Sequence, residues 1–231
     1  RALARRLVEV VEPDRPAVLV MVRSEPIPAS FEQERMWLAN GPHAGAPVYN
    51  SGVTAILRGN VDTQALVTAT QAILDRFEVL RTRLFWSDGQ LVQTIDPPGS
   101  VAVRFEDWSH RDDDEDALEA AALQRLHEAT AAAYDLARDA PSRALVMKLS
   151  NETHMWLFAA HHVAADAWSL GHVIPEVLFK AYDAALARQV ADLGPIPLHY
   201  ADYAAWQRSP AMATVYDDEL SYWRDQLFGA E

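Results

Sequence analysis

The chain has 231 residues, enough for one large domain that buries roughly 70 % of the surface its unfolded form exposes. Its 33 Asp and Glu outnumber 20 Lys and Arg, and the formal charge of -13 excludes the basic stripe that tracks nucleic-acid phosphates. There is no cysteine for a disulfide framework or a thiolate zinc site, and no apolar run of about 18 residues that would cross a membrane. These features predict a soluble, cytoplasmic protein with no nucleic-acid or membrane partner.

The opening stretch RALARRLVEVVE places Leu3, Leu7, Val8 and Val11 at helical spacing with arginines opposite. PDRPAVLVMVRSEPIP follows with four prolines, so residues 1–25 read as the end of one helix and then a tether outside the core. The folded domain starts near Pro26. SFEQERMWL reads as an amphipathic helix capped by Ser30, GVTAILRG as a strand, and DTQALVTATQAILDRFEVL as a helix capped by Asp62. TRLFWSDGQLVQTI has the pattern of a hairpin that turns at Asp88-Gly89, and VAVRFEDWS of a short strand. The acidic block DDDED then suits a helix N-terminus and carries no chemistry of its own. SRALVMKL and HMWLFAAHH form a second hairpin across SNET, and DAWSLGHVIPEVLFKAYDAALARQ a long helix in which Pro175 predicts a kink. An aromatic-rich segment, PLHYADYAAWQRSP, and one more helix close the chain. Irregular alternation of helices and strands with two hairpins predicts an α/β fold: a mixed sheet with helices packed on it in layers.

HHVAADAWSL, residues 161–170, is the stretch most suggestive of chemistry. Side chains alternate along a strand, so Trp156, Phe158, Ala160 and His162 share one face, and Met155, Leu157, Ala159 and His161 the other. Both faces are apolar, which makes the strand central and leaves the histidines at its carboxyl end, where open α/β sheets place their sites. A lone buried histidine is usually a core residue with satisfied hydrogen bonds. Two in succession, followed by Asp166 at a helix start, shift the balance toward function. His161, His162, Asp166 and His172 include possible zinc ligands, but adjacent histidines on opposite faces do not share a metal easily and no HExxH is present. No GxSxG elbow, GxxxxGKS or GxGxxG occurs either. The remaining role is a histidine acting as base or hydrogen-bonding group on substrates that bring their own nucleophile.

At these residues the chain resembles the condensation domains of nonribosomal peptide synthetases, which belong with chloramphenicol acetyltransferase-like acyltransferases. HHVAADAWS is similar to their HHxxxDG signature, SFEQERMWL to SxAQxRLWxL, RFEVLRTRLF to RHExLRTxF and YADYAAWQ to YxDYAxW, in the family's order over residues 26–231. Residues 1–11 resemble the last helix of a carrier protein, which makes 1–25 a carrier tail and linker. Two positions depart: Ala167 stands where the signature has glycine, adding a methyl that would narrow the channel, and Phe77 where the second motif has histidine. Only the amino-terminal lobe, about half of a family member, is matched. The second lobe is expected beyond Glu231 or is missing.

The resemblance implies amide formation between an upstream acyl or peptidyl thioester and the amino group of a downstream aminoacyl thioester. Both substrates arrive on phosphopantetheine arms of carrier proteins, with no cofactor or metal bound by the lobe itself. Implied partners are the two carriers, the second lobe and an adjacent adenylation domain. His162 is the implied catalytic group, as base or as positioning group, and His161 supports the loop through hydrogen bonds. Asp166 is expected as an N-cap or in a buried ion pair with Arg81, or with Arg76 as the second choice. Ala167, Trp168 and Ser169 would border the substrate tunnel, Ser169 as a first-turn helix residue rather than a nucleophile. Trp37, Tyr203 and Trp206 are read as packing aromatics, and PVYN mildly resembles domains that take an L-configured donor. A lone lobe would be inactive. The rival readings are a non-catalytic carrier-docking lobe and a stand-alone HHxxxD acyltransferase.

Overall fold

The structure, a computed structural model, describes residues 15–23, 26–41 and 46–229. The helix read over the first twelve residues lies outside these. The described elements are β1 (Ile27–Pro28), α1 (Phe31–Asn40), β2 (Asn50–Arg58), α2 (Thr63–Arg76), a 3-10 turn (Glu78–Arg81), β3 (Thr82–Ser87), β4 (Gln90–Ile95), β5 (Arg104–Asp107) and α3 (Glu115–Ala131). Then come β6 (Ser142–Lys148), β7 (Thr153–His161), a π-helical turn (Ser169–Val173), α4 (Ile174–Leu186), α5 (Tyr200–Gln207) and α6 (Pro210–Gln226).

The main sheet has the order β2-β7-β6-β5, antiparallel except for the β5–β6 pair, and a smaller sheet has the order β1-β4-β3. Every residue of β7 is buried, because the strand lies between β2 and β6 and is covered on both faces. Trp156, Phe158 and Ala160 pack with Leu66, Ala69 and Ile73 of α2 and with Ile174, Val177 and Leu178 of α4. Met155, Leu157 and Ala159 pack with Leu118, Ala122 and Leu126 of α3. Strand alternation has thus sorted one apolar run into two cores, giving the layered α/β arrangement that the pattern predicts. A third core joins the small sheet to the end of β7 through Ala29, Leu84, Leu91, Tyr134, Leu136 and Val163.

Local chemistry sets the boundaries. Ser30 caps α1 in a reciprocal box with Gln33, while Asp62 and Asp114 accept from the third backbone amides of α2 and α3. The β3–β4 hairpin turns through Asp88 at φ 51° and Gly89 at φ 81°, the two positive angles a tight two-residue turn requires. Pro175 sits in the first turn of α4, where its missing N–H costs little. The irregularity lies before it: Ile174 N–H reaches back five residues to the Ser169 carbonyl, so the chain widens into a π turn. Residues 15–23, read from sequence as tether, carry no helix or strand yet lie against α5. Met21 N–H and the Arg23 guanidinium both bond Asp202, and Trp206 Nε1 donates to the Pro16 carbonyl.

Candidate active site

β7 ends at His161, and the next five residues turn the chain out of the sheet toward the helical segment that begins at Ala167. Two backbone bonds fix this exit: His161 N–H donates to the Pro141 carbonyl at 2.9 Å and His162 N–H to the Tyr49 carbonyl at 2.7 Å. Val163 and Ala165 are buried, Val163 in the third core and Ala165 in the α2–α4 core. The loop carrying the histidines is therefore anchored at both ends by packing.

The two imidazoles meet different surroundings. His161 is 2 % exposed and lies against Tyr49 and Tyr134, with ring centroids 5.9 and 6.2 Å away. Val163 N–H donates to its Nδ1 at 3.1 Å, so in the neutral ring the proton sits on Nε2, which is buried without a partner among the described residues. Burial, and then the neighbouring His162, push its pKa down to about 4, so it stays neutral at physiological pH. His162 is exposed, and its Nδ1 lies 3.0 Å from the Ala165 carbonyl. A carbonyl only accepts, so Nδ1 carries the proton and Nε2 keeps a lone pair. This is the tautomer a base needs, held by the loop's own backbone. Tyr134, which no motif marks, supports the pair together with Tyr49 of PVYN and Ala165 of the HHVAADAWS stretch. Tyr134 is itself held by its hydroxyl on the Ala159 carbonyl and by Arg143 stacked over its ring at 3.8 Å.

The expected ion pair is absent. Asp166 is exposed, and its Oδ1 accepts from Ser169 N–H at 2.8 Å and Ser169 Oγ at 2.7 Å. These bonds from Ser169 hold its pKa below the usual carboxylate value. Among the described residues it forms no salt bridge. Arg81 is turned elsewhere, bonding the carbonyls of Asp96 and Asp75, and Arg76 bonds those of Gly194 and Leu193. Arg76 thus ties the Leu193–Gly194 loop to α2, and Arg81 holds the Asp96 carbonyl to the end of that helix. Asp166 is the N-cap of the segment after the histidines, and Ser169 is its first-turn partner. Ala167 is exposed and is not among the residues at positive φ, so its methyl adds no backbone strain. Trp168 is 66 % exposed, its indole stacked on His172 at 4.0 Å with 15° between planes. Among the described residues no group of three His, Asp or Glu is placed to hold a metal.

A buried central strand ending in one structural and one presented histidine, with helices on both faces of a mixed sheet, defines a chloramphenicol acetyltransferase-like lobe. The chain belongs to the condensation domain family, whose model matches residues 23–231. It is 33 % identical over 209 residues to a linear gramicidin synthase from Brevibacillus parabrevis, covering 90 % of this chain and 3 % of that protein. It is 34 % identical over 222 residues to an isonitrile lipopeptide synthase of Mycobacterium tuberculosis, covering 93 % of this chain and 8 % of that protein. Among solved structures it resembles the X-domain of teicoplanin biosynthesis in complex with OxyB, with a TM-score of 0.80 and 29 % identity over 95 % of this chain and 47 % of that one. The starter condensation domain of rhizomide synthetase RzmA shares the fold at a TM-score of 0.74 and 20 % identity, over 90 % of this chain and 49 % of that one. The chain spans a small part of the synthetases it matches and about half of each of these two solved chains.

Proposed function

We propose that this lobe supplies the histidine side of a condensation reaction. An upstream acyl or peptidyl thioester is joined to the amino group of a downstream aminoacyl thioester, both presented on phosphopantetheine arms of carrier proteins. The observation that carries the reading is the His162 tautomer: Nδ1–H on the Ala165 carbonyl leaves Nε2 open to a substrate N–H. An α-amino group has a pKa of about 7.7–8.0, so about a tenth of it is already neutral at pH 7. A base here needs only to take one proton as the tetrahedral intermediate forms, or to hold the amine by a hydrogen bond, with no metal or cofactor in the step. The thiolate of the donor arm leaves as the amide forms.

The second lobe, both carriers and an adjacent adenylation domain are the partners this reading requires. Its test uses a protein carrying both lobes and loaded carriers. His162→Ala is expected to keep its fold and lose at least about 10²-fold in condensation rate. A folded variant condensing at the wild-type rate overturns the reading. A carrier-docking role without turnover is the second reading, supported by the likeness to an X-domain described in complex with another protein. It gains if the two-lobed wild type binds carriers yet forms no amide.

A further inference from the structure

The carboxyl end of α3 is received by two side chains from the strands on either side of β7. Asn50 of β2 pairs in register with His161, and Arg143 of β6 with Ala159, so both point to the sheet face that α3 covers. Asn50 Nδ2 donates to the carbonyls of Thr130 and Ala132 at 2.8 and 2.9 Å. The Arg143 guanidinium donates to those of Ala129, Ala132 and Ala133 at 2.9, 2.7 and 3.0 Å. The last carbonyls of a helix have no partner inside it, and α3 has no basic residue in its own last turn. Asn50 and Arg143 supply the donors, and Arg143 the cation, that this end lacks.

The same two residues adjoin the tyrosines that flank His161. Arg143 lies over the Tyr134 ring at 3.8 Å, and Asn50 directly follows Tyr49, whose carbonyl accepts from His162 N–H. The His161 ring accepts one hydrogen bond, from Val163 N–H, while its Nε2 is buried without a partner among the described residues. The packing of Tyr49 and Tyr134 therefore decides how that ring sits.

We propose that Arg143 and Asn50 are positioning residues for His162. By fastening the end of α3 they fix both tyrosines against His161, and with them the loop on which His162 Nδ1–H reaches the Ala165 carbonyl. The proposal rests on the role of His162 given above. Capping of α3 alone would need only the edge of the Arg143 guanidinium; its face is set on Tyr134, a stack that lysine cannot reproduce although it keeps the charge.

The test reads the His162 ring directly. In the 231-residue chain with isotope-labelled histidine, nitrogen shifts are expected to show the Nδ1–H form of His162 in an excess of about fivefold or more, the bias that one ordinary hydrogen bond gives. Arg143→Met and Asn50→Ala are expected to keep a folded lobe and to bring the two forms within about twofold of each other, with Arg143→Lys between. In a protein carrying both lobes, with loaded carriers, Arg143→Met is expected to lower kcat at least about tenfold with KM for the carriers unchanged. It is expected to add no further loss to His162→Ala, because residues that act through one group are not additive. Unchanged tautomer ratios in the folded variants, or losses in Arg143→Met and His162→Ala that multiply, overturn the proposal and leave the two side chains as caps of α3. If Arg143→Met does not fold, Asn50→Ala and Arg143→Lys carry the same comparison. A His162→Ala protein condensing at the wild-type rate overturns the reading of the function instead, and the tautomer ratios still decide whether Arg143 and Asn50 set the ring.

Discussion

At the residue scale, two adjacent side chains of one type behave differently because the strand turns them to different surroundings. The sequence shows that His161 and His162 divide their work, since alternation alone sends them to opposite faces. It does not show which nitrogen of each carries the proton. That is set by Val163 N–H on one ring and the Ala165 carbonyl on the other, both created by the loop's path after β7. The buried neutral state of His161 has a measurable consequence. Its folded pKa of about 4 lies below the unfolded value of 6.5, so between these values the unfolded chain binds more protons and stability falls as pH is lowered. Between pH 7 and pH 5 the loss is about 2 kcal/mol from this group. His154 is shifted the same way by burial, with Lys148 adding to it. His161→Asn retains an acceptor for Val163 N–H and does not titrate, so its melting temperature is expected to drop less from pH 7 to pH 5 than that of the wild type. Parallel melting curves across this range would show that His161 is not held neutral by the fold.

At the element scale, the features legible in sequence are those made by neighbours along the chain. The caps at Ser30 and Asp62, the helix start at the acidic block, the Asp88-Gly89 hairpin and the doubly apolar β7 all depend on residues a few positions apart, and all form as read. The π turn was not legible as such, because Pro175 announces a broken hydrogen-bond ladder without saying on which side the chain adjusts. Asp166 shows the same limit. Its spacing suits both an N-cap and a buried ion pair, and only the structure reveals that Arg81 is already committed to the Asp96 and Asp75 carbonyls. The outcome changes the expected cost of losing the side chain. Breaking a buried pair costs about 3–5 kcal/mol, whereas an exposed N-cap is worth about 1 kcal/mol. Asp166→Ala is therefore expected to lower stability by about 1 kcal/mol in denaturant unfolding, and Asp166→Asn, which keeps a capping oxygen, by less. A loss above about 3 kcal/mol in Asp166→Ala would restore the buried pair.

At the scale of the whole molecule, one carboxylate joins the strap of residues 15–23 to α5, far along the chain. Asp202 opens no sequence motif of its own beyond its place in YADYAAWQ, and its partner Arg23 lies 179 residues away, a separation no periodicity reports. The side chain of Asp202 is 1 % exposed and accepts from Met21 N–H, His199 N–H and Arg23. Burial alone would raise its pKa; the Arg23 guanidinium and the two amides outweigh it and hold the group at about 2. A carboxylate depressed in this way adds stability above its unfolded pKa of 3.8, and that stability is lost as pH falls from there toward 2. Arg23 also reaches Glu78 at 2.9 Å, so one guanidinium ties the strap, α5 and the 3-10 turn after α2. Removing it leaves Asp202 charged and buried with only its amide partners, at a cost of about 1.5–3 kcal/mol for a hydrogen bond to a charged group. In a domain of this size each kcal/mol moves the melting temperature by roughly 2–4 °C. Arg23→Ala is expected to melt several degrees lower at pH 7 and to speed exchange of the Met21 amide, while Arg23→Lys recovers part of both. An Arg23→Ala protein with unchanged melting and unchanged Met21 exchange would mean that the strap rests on the lobe without bracing it.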